Sequence, residues 1–333
     1  MRASLRVNND RPPADYAALA RAAERHGFDQ LWISHDLFLW SAPVLVTSAL
    51  QATDRLQVGT GIMNPHTVHP AELAMLAATL DEVSEGRFNL GLGAGAAEFR
   101  AWVGLDDPTP VATMRETIAA VRGWLAGTPV ATGRFVREPA AYLRIRPRRI
   151  TPIYLGAMGV AMLRLAGELA DGALPLLFPP EHWATVQPLL EEGVRRRAPA
   201  LGALDAAACV WVSLDADPAA ARRALADKVA YYGHSLGPLI YERLGVSQDA
   251  FAPIQRALTV DREPERARAM VDARMLRIGV AGGSEAIVQR LRPLVAAGVR
   301  HISFGPPLGP DPLRAIELLG GEVLPALRAA ATG

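Results

Sequence analysis

Residues 58–95 read VGTGIMNPHTVHPAELAMLAATLDEVSEGRFNLGLGAG, and their pattern indicates a parallel α/β fold. A short apolar run leads into a glycine-rich turn, a helix is predicted from Pro70 to Val83, and a second apolar run from Phe88 ends in spaced glycines. A strand, a helix and a second strand in this order form a parallel βαβ unit. We therefore expect the two strand ends to lie side by side and to form one wall of a pocket.

The alternation of short apolar runs with amphipathic stretches continues on both sides of this unit. Tyr16, Leu19, Ala20 and Ala23, for example, have the spacing of one buried helical face. Eight segments have the pattern of buried strands: 5–8, 30–34, 56–59, 88–91, 153–155, 173–176, 207–212 and 301–304. Eight strands that alternate with helices predict an α/β fold, and specifically a closed (β/α)8 TIM barrel.

The length of 333 residues fits one barrel domain spanning residues 1–333, because α/β barrels commonly exceed 250 residues as a single domain. Two connections are much longer than the rest, at about 96–150 and 213–283. Loops of this length in a compact domain usually cover a functional site. We expect these two insertions to form the walls or lid of the pocket.

Composition limits the class of partner. The formal net charge is +1 and charges of both signs are interspersed, so the sequence indicates a small-molecule substrate and neither a nucleic acid nor a membrane surface. Cys209 is the single cysteine, which excludes an intrachain disulfide, and its apolar surroundings predict a buried hydrophobic role. No secretory signal begins the chain and no apolar run reaches about 18 residues, so we expect a cytoplasmic protein.

Residues that follow the strands of a parallel barrel line the mouth where chemistry takes place. His35 and Asp36 follow the second strand, and imidazole and carboxylate groups suit proton transfer; a capping aspartate beside a surface histidine is the alternative. After the third strand, the Asn64 amide suits the polar edge of a ring and His66 is a candidate for ligand contact. His69 is expected to open the following helix instead.

Two glycine-rich turns are candidates for holding a cofactor. The GLGAG turn at residues 91–95 lacks the G-x-G-x-x-G pattern and the later acidic residue of a dinucleotide fold, so close approach of a flat ring to bare backbone explains it better. The GAMG turn at residues 156–159 directly precedes a helix. Free N–H groups at a helix start form an anion site.

These motifs together resemble the deazaflavin (coenzyme F420)-dependent reductases of the bacterial luciferase-like superfamily, especially the methylenetetrahydromethanopterin reductase branch. The likeness extends over nearly the whole chain and includes DQLWIS, NPHTVHPAELAMLAATLDEVSEGRF, PIYLGAMG, LAGELADGALP, YERLGV and GPPLGPD. It implies a luciferase-like barrel that transfers a hydride between coenzyme F420 and a bound acceptor. It also implies a homodimer or higher homo-oligomer that pairs near the second and third strands.

The resemblance further implies roles for individual residues. A non-prolyl cis peptide at Gly61–Ile62 would lie against the deazaflavin ring, and the cofactor phosphate would sit on the GAMG turn. His35, Asp36 and His66 are the catalytic candidates; His66 stands where the family has a tyrosine. The full set of cofactor-binding candidates is Gly61, Ile62, Asn64, Gly93, Ala94, Gly95, Gly156, Ala157, Met158 and Gly159.

Departures from the family pattern fall at the expected substrate side. Arg6 replaces a glutamate at the end of the first strand, and Ala96 replaces an aspartate after the GLGAG turn. Lys228 is the only lysine in the chain, which suggests a need for a compact point charge or a solvated helix residue. We expect Arg6, Ala96 and Lys228 to contact a substrate other than the family's pterin, with a C=C or C=N bond in a specialised metabolite or a pterin-like compound as acceptor.

Other functions stay open at this point. The same fold serves FMN-dependent monooxygenases, with FMN as the alternative cofactor, and would also serve a flavin-free NADH-dependent methylenetetrahydrofolate reductase. A metal-dependent hydrolase would use His35, Asp36, His66 and His69, but their spacing lacks an H-x-H or H-E-x-x-H pattern, so we expect no metal. A binding subunit without catalysis is a further alternative.

Overall fold

The computed structural model describes residues 1–95 and 97–331. Its strands are β1 (Arg2–Val7), β2 (Gln30–Ile33), β3 (Gln57–Thr60), β4 (Phe88–Leu92), β5 (Ile153–Leu155), β6 (Gly172–Ala173), β7 (Asp205–Leu214), β8 (Val280–Gly282) and β9 (His301–Leu308). Its α-helices are α1 (Pro13–Arg25), α2 (Ala42–Gln51), α3 (Pro70–Val83), α4 (Ala97–Trp102), α5 (Pro110–Ala126), α6 (Val160–Leu169), α7 (Trp183–Val194), α8 (Pro218–Tyr232), α9 (Pro238–Leu244), α10 (Ala252–Thr259), α11 (Pro264–Ala269), α12 (Ala273–Leu276), α13 (Ser284–Ala296), α14 (Pro312–Leu318) and α15 (Leu324–Ala330).

Eight of these strands close into a barrel in which every neighbouring pair is parallel. The order around the ring is β1, β2, β3, β4, β5, β6, β7 and β9, and β9 pairs with β1 to close it. Each strand segment predicted from the sequence overlaps one of these eight, so the predicted (β/α)8 barrel is confirmed. The prediction missed β8, which pairs with the C-terminal end of β7, because three residues are too few to give an apolar pattern.

The helices follow the sequence signals closely. The helix predicted from Pro70 to Val83 is α3, with the same bounds. Pro70 takes the first helical position, where its missing N–H costs no hydrogen bond. His69 caps the helix, since its Nδ1 accepts a hydrogen bond from the backbone N–H of Ala71 at 3.1 Å. In α1 the predicted face is buried, with Tyr16, Leu19, Ala20 and Ala23 in the core.

A ring of hydrogen-bonded polar side chains occupies the barrel interior near the starts of the strands. Gln30 Nε2 donates to the Tyr154 hydroxyl at 3.1 Å, and that hydroxyl donates to Asp205 at 2.7 Å. His301 Nδ1 lies 2.9 Å from Asp205, and its Nε2 lies 2.9 Å from the Ser4 hydroxyl. These buried groups therefore satisfy one another. Burial alone would raise the pKa of Asp205, but the bonds to His301, Tyr154 and Arg2 hold it at about 2.

An apolar layer follows the polar ring along the barrel axis. Trp32 is fully buried and packs against Tyr154 with ring centroids 4.7 Å apart. A Cβ at Gly59 would lie 2.3 Å from the Trp32 ring, so glycine is required there. Cys209 is fully buried in this layer, as its apolar surroundings predicted. The barrel is thus filled from its N-terminal end, which leaves the C-terminal end for the site.

The two long connections have different structures. Between β4 and β5, α4 and α5 are followed by residues 127–152, which contain neither helix nor strand. Arg149 fastens this segment to α3, because its Nε lies 2.9 Å from Oδ1 of the fully buried Asp81. Between β7 and β8, α8 to α12 build a separate apolar cluster around Phe251, which extends to Trp211 of β7. Both insertions therefore have defined anchors on the barrel.

Candidate functional site

The ends of β3 and β4 form the wall that the sequence predicted. The Gly61–Ile62 peptide is cis, as the family resemblance implied. Beyond it the two chains remain paired, since Met63 N–H donates to the Gly91 carbonyl at 2.8 Å and Gly93 N–H donates to the Met63 carbonyl at 3.0 Å. The backbone at Ile62 is therefore held in place by the hydrogen bonds between the ends of β3 and β4, which form a hydrogen-bonded frame.

The glycines of this wall make room for the Ile62 side chain. A Cβ at Gly93 would lie 2.8 Å from Ile62, and a Cβ at Gly156 would lie 2.9 Å from it. Ile62 itself is half-buried, with part of its surface facing solvent. Gly93 was expected to allow a ring to approach bare backbone, and Gly156 was expected to belong to the turn that holds the cofactor phosphate. The close contacts show that both glycines leave free the space that the Ile62 side chain occupies.

Asn64 holds the loop that follows β4. Its Nδ2 donates to the Ala94 carbonyl at 3.0 Å, and its Oδ1 accepts from the backbone N–H of His66 at 2.8 Å. Gly95 has φ +69°, and a Cβ there would lie 2.6 Å from Asn64 Nδ2. Arg100 binds the carbonyls of Ala94 and Gly95 at 2.7 and 2.8 Å. Much of the Asn64 amide that was expected to bind a ring is thus engaged with the protein.

The GAMG turn leaves the start of α6 open. Gly156 N–H bonds to the Leu92 carbonyl at 2.8 Å, which aligns the turn with β4. Gly159 is the N-cap residue with no side-chain cap, and a Cβ at this position would meet no atom within 4 Å. Met158 and Val160 are 43% and 50% exposed. The first N–H groups of α6 lack intrahelical partners and face open space, which is the arrangement of an anion site.

His35 is tied to the start of α2. Its Nδ1 accepts a hydrogen bond from the Ala42 N–H at 3.3 Å. Because Nδ1 is an acceptor, the neutral ring carries its proton on Nε2, as assigned from this bond. Burial lowers the pKa of His35 and the nearby Asp36 opposes the change. His35 is therefore neutral at pH 7 and offers one N–H donor.

Asp36, Arg6 and Lys228 line one cavity of about 520 Å³ at the C-terminal end of the barrel. Its walls come from the ends of β1, β2 and β9, from α8, and from Trp102 of α4. Desolvation raises the pKa of the Asp36 carboxyl, while Lys228 and His35 oppose the rise. The cavity joins one catalytic candidate with two of the predicted substrate residues. Aromatic lining residues that sequence reasoning missed are Phe38, Trp102, Tyr231 and Tyr232.

His66 has a different environment. Its Nε2 lies 3.1 Å from Oδ2 of Asp107, a buried carboxylate of the first insertion that also pairs with Arg134 at 3.3 Å. Desolvation lowers the pKa of His66 and Asp107 opposes the change. His66 does not line the cavity of Arg6 and Lys228. Its catalytic role stays a prediction, while the structure shows it joining β3 to the insertion.

Three further findings concern the remaining predictions. Ala96 lies outside the described residues. Within residues 1–95 and 97–331, no group of three or more histidine, cysteine, aspartate or glutamate side chains could hold a metal ion. In the same part of the chain, every helix is too short or too polar to cross a bilayer.

Comparison with known proteins identifies a family that the chain matches in sequence and in structure. A sequence profile of the luciferase-like monooxygenases matches residues 2–301. The 5,10-methylenetetrahydromethanopterin reductase of Methanopyrus kandleri is 32% identical over 334 residues and covers 95% of each chain. The F420-dependent glucose-6-phosphate dehydrogenase of Nakamurella multipartita is 31% identical over 333 residues, covering 95% of this chain and 93% of the relative. The solved structure of the coenzyme F420-dependent tetrahydromethanopterin reductase from M. kandleri superposes with a TM-score of 0.89 at 30% identity, covering 97% and 98% of the two chains.

Proposed function

The chain belongs to the luciferase-like monooxygenase family, and on this basis we propose that it is a coenzyme F420-dependent oxidoreductase that transfers a hydride to a small organic acceptor. The resemblance inferred from the motifs is confirmed by the family match. Relatives about one-third identical are named for a methanopterin derivative and for glucose 6-phosphate. The two names differ in substrate, so the acceptor has to be argued from this chain's own residues.

The proposal rests mainly on the uncapped N-terminus of α6, which follows the turn that packs against Ile62. A cofactor phosphate fits the N–H groups after Gly159, because no side chain of the described residues caps them and the space beside Gly159 is open. The hydrogen-bonded frame of β3 and β4, which carries Ile62, supplies a rigid surface for a flat ring. We propose that the cofactor spans these two features.

When bound, reduced F420 supplies a hydride, and the acceptor must also take up one proton for the charges to balance. His35 follows β2 and carries its proton on Nε2, so it offers one hydrogen-bond donor beside Asp36, although it does not itself line the cavity. Asp36 has a raised pKa and faces the cavity, so its carboxyl is suited to deliver the proton. We propose a C=C or C=N acceptor, with Arg6 and Lys228 orienting it.

Titration with cofactors tests the proposal. We expect F420 to bind at least tenfold more tightly than FMN, measured by quenching of the deazaflavin and flavin fluorescence. Under anaerobic conditions, reduced F420 should then be reoxidised by acceptors that carry C=C or C=N bonds. Preference for FMN, together with turnover that requires oxygen, would instead indicate a monooxygenase.

A further inference from the structure

Arg6 carries a charge that no described residue neutralises. Its Nε and Nη2 atoms are buried and have no hydrogen-bond partner, and no described carboxylate lies within 4 Å of the guanidinium. The backbone of Gly305 packs closely against the guanidinium, since a Cβ at Gly305 would lie 2.3 Å from Nη2. Removing water from one edge of a guanidinium costs free energy. An anion that binds at the edge facing the cavity would offset this desolvation cost.

Lys228 lies on another wall of the same cavity. Its Nζ is 3.4 Å from Oδ1 of Asn8, and it forms no ion pair with any residue of the described chain. Nζ also lies 5.3 Å from the ring centroids of Trp211 and Tyr232, and 5.9 Å from that of Tyr231. Aromatic rings stabilise a cation without neutralising it. Desolvation lowers the pKa of the Lys228 ammonium, and Asp36 and Asp10 oppose the change. Arg6 and Lys228 are therefore two basic groups with no described carboxylate in direct contact, and an anion bound between them would favour the charged form of Lys228.

The charges around the cavity indicate how many negative charges a ligand should bring. The cations of the lining are Arg6, Arg11 and Lys228, and its carboxylates are Asp10, Asp36 and Asp227. Asp227 is already paired with Arg268, which lies outside the lining, at 3.3 Å. With Asp36 ionised, the described residues of the lining leave one positive charge, and a ligand with one negative charge balances it. The bound anion then raises the pKa of the Asp36 carboxyl, so that this carboxyl takes up the proton it delivers. A phosphate dianion would overcompensate and would repel Asp36.

We infer that the acceptor of this enzyme bears one carboxylate, bound between Arg6 and Lys228, and an apolar or aromatic body that packs on the surrounding rings. The volume of about 520 Å³ lies in the range of small-molecule sites. Trp102, Phe38 and Tyr232 supply the apolar surface for the body of the ligand. As a statement about the substrate the inference rests on the proposed function, whereas its anion-binding step can be tested without cofactor.

Binding of matched probes tests the inference on the full chain. trans-Cinnamate, the neutral cinnamamide and phenyl phosphate share an aromatic body and differ in charge. We expect cinnamate to bind at least tenfold more tightly than either of the others, measured by ligand-observed NMR titration, because charge-assisted hydrogen bonds contribute the difference. Arg6→Met and Lys228→Met should each reduce cinnamate affinity about tenfold or more and leave cinnamamide affinity unchanged.

Arg21→Met is the matched control, since Arg21 is exposed on α1 and lies outside the cavity lining; its cinnamate affinity should equal that of the wild type. Arg6→Met should also unfold at the same temperature as the wild type or higher, because it removes a charge without a partner. Equal or undetectable binding of cinnamate and cinnamamide overturns the inference, as does tighter binding of phenyl phosphate. A separate F420 titration distinguishes the two proposals: carboxylate preference without F420 binding overturns the proposed function alone.

Discussion

A Cβ on Gly156 would come within 2.9 Å of the Ile62 side chain, so this glycine is fixed by packing. Gly159, three residues later in the same turn, has open space where its Cβ would be. A substitution at Gly156 would therefore disturb both the wall and any ligand. Gly159 is the position at which the proposed phosphate site can be changed without altering the contacts of the protein.

Gly159→Asp should separate folding from cofactor binding. An aspartate at the N-cap accepts hydrogen bonds from the start of α6, so the free energy of unfolding without cofactor should stay the same or rise by up to about 1 kcal/mol. The same carboxylate repels a phosphate, so F420 affinity should fall at least tenfold. Gly159→Asn keeps the cap without the charge and should retain more affinity. Wild-type affinity in the aspartate variant would contradict the phosphate assignment.

His35→Ala should slow turnover more than it weakens binding. The neutral imidazole offers its Nε2–H at the mouth, and loss of such a group typically lowers kcat about 100-fold or more. We expect the F420 dissociation constant to change less than about threefold. The measurement is kcat with an acceptor that reoxidises reduced F420. Recovery of part of the rate in His35→Gln, which can also donate, supports the role; a loss of binding equal to the loss of rate argues against it.

Arg149→Met should destabilise the fold far more than Arg148→Met. Arg149 neutralises the fully buried Asp81, whereas Arg148 pairs with Glu82 on the surface at 3.1 Å. Leaving a buried charge without its partner costs about 3–5 kcal/mol, and an exposed pair contributes about 0–1 kcal/mol. Chemical denaturation of the two variants measures the contrast. Adding Asp81→Asn to the Arg149 variant should recover stability; similar losses in the two single variants would show that Asp81 is not effectively buried.

The polar ring makes stability depend on pH in the acid range. The pKa of Asp205 is about 2 in the folded protein and about 3.9 in an unfolded chain, so its contribution is complete above about pH 5 and is lost progressively as the pH falls toward 2. The loss is on the order of 2 kcal/mol. Urea unfolding at pH 5 and pH 2.5 should therefore show a steeper decline for the wild type than for Asp205→Asn. Parallel declines would mean that other carboxylates account for the acid sensitivity.

The features that were predicted correctly from the sequence depend on local residue patterns. The apolar runs located all eight barrel strands, and Pro70 with the spacing of its followers located α3 to the residue. Position after a strand placed Asp36 at the mouth, and the family resemblance drew attention to Arg6 at the end of β1; both line the cavity with Lys228. These features depend on neighbours within one turn or one strand, which a single sequence contains.

Long-range pairings account for what the sequence did not reveal. His66 meets Asp107, which lies in an insertion without periodicity, so no pattern connects the two. The Asn64 amide bonds to Ala94 on the next loop, a contact fixed by the register between β3 and β4. Trp102 and Tyr232 come from different insertions and converge only in the folded chain. Sequence reasoning therefore named Arg6, Asp36 and Lys228 but missed the other charged residues of the cavity and its aromatic walls.

The hydrogen-bonded ring of Ser4, Gln30, Tyr154, Asp205 and His301 occupies the opposite end of the barrel from the candidate site. Both small molecules of a bisubstrate reaction must then arrive and depart through the same mouth. If one of them binds beneath the other, it can leave only after the other has gone. Steady-state kinetics should consequently follow a compulsory order, in which the first molecule to enter is the last to leave.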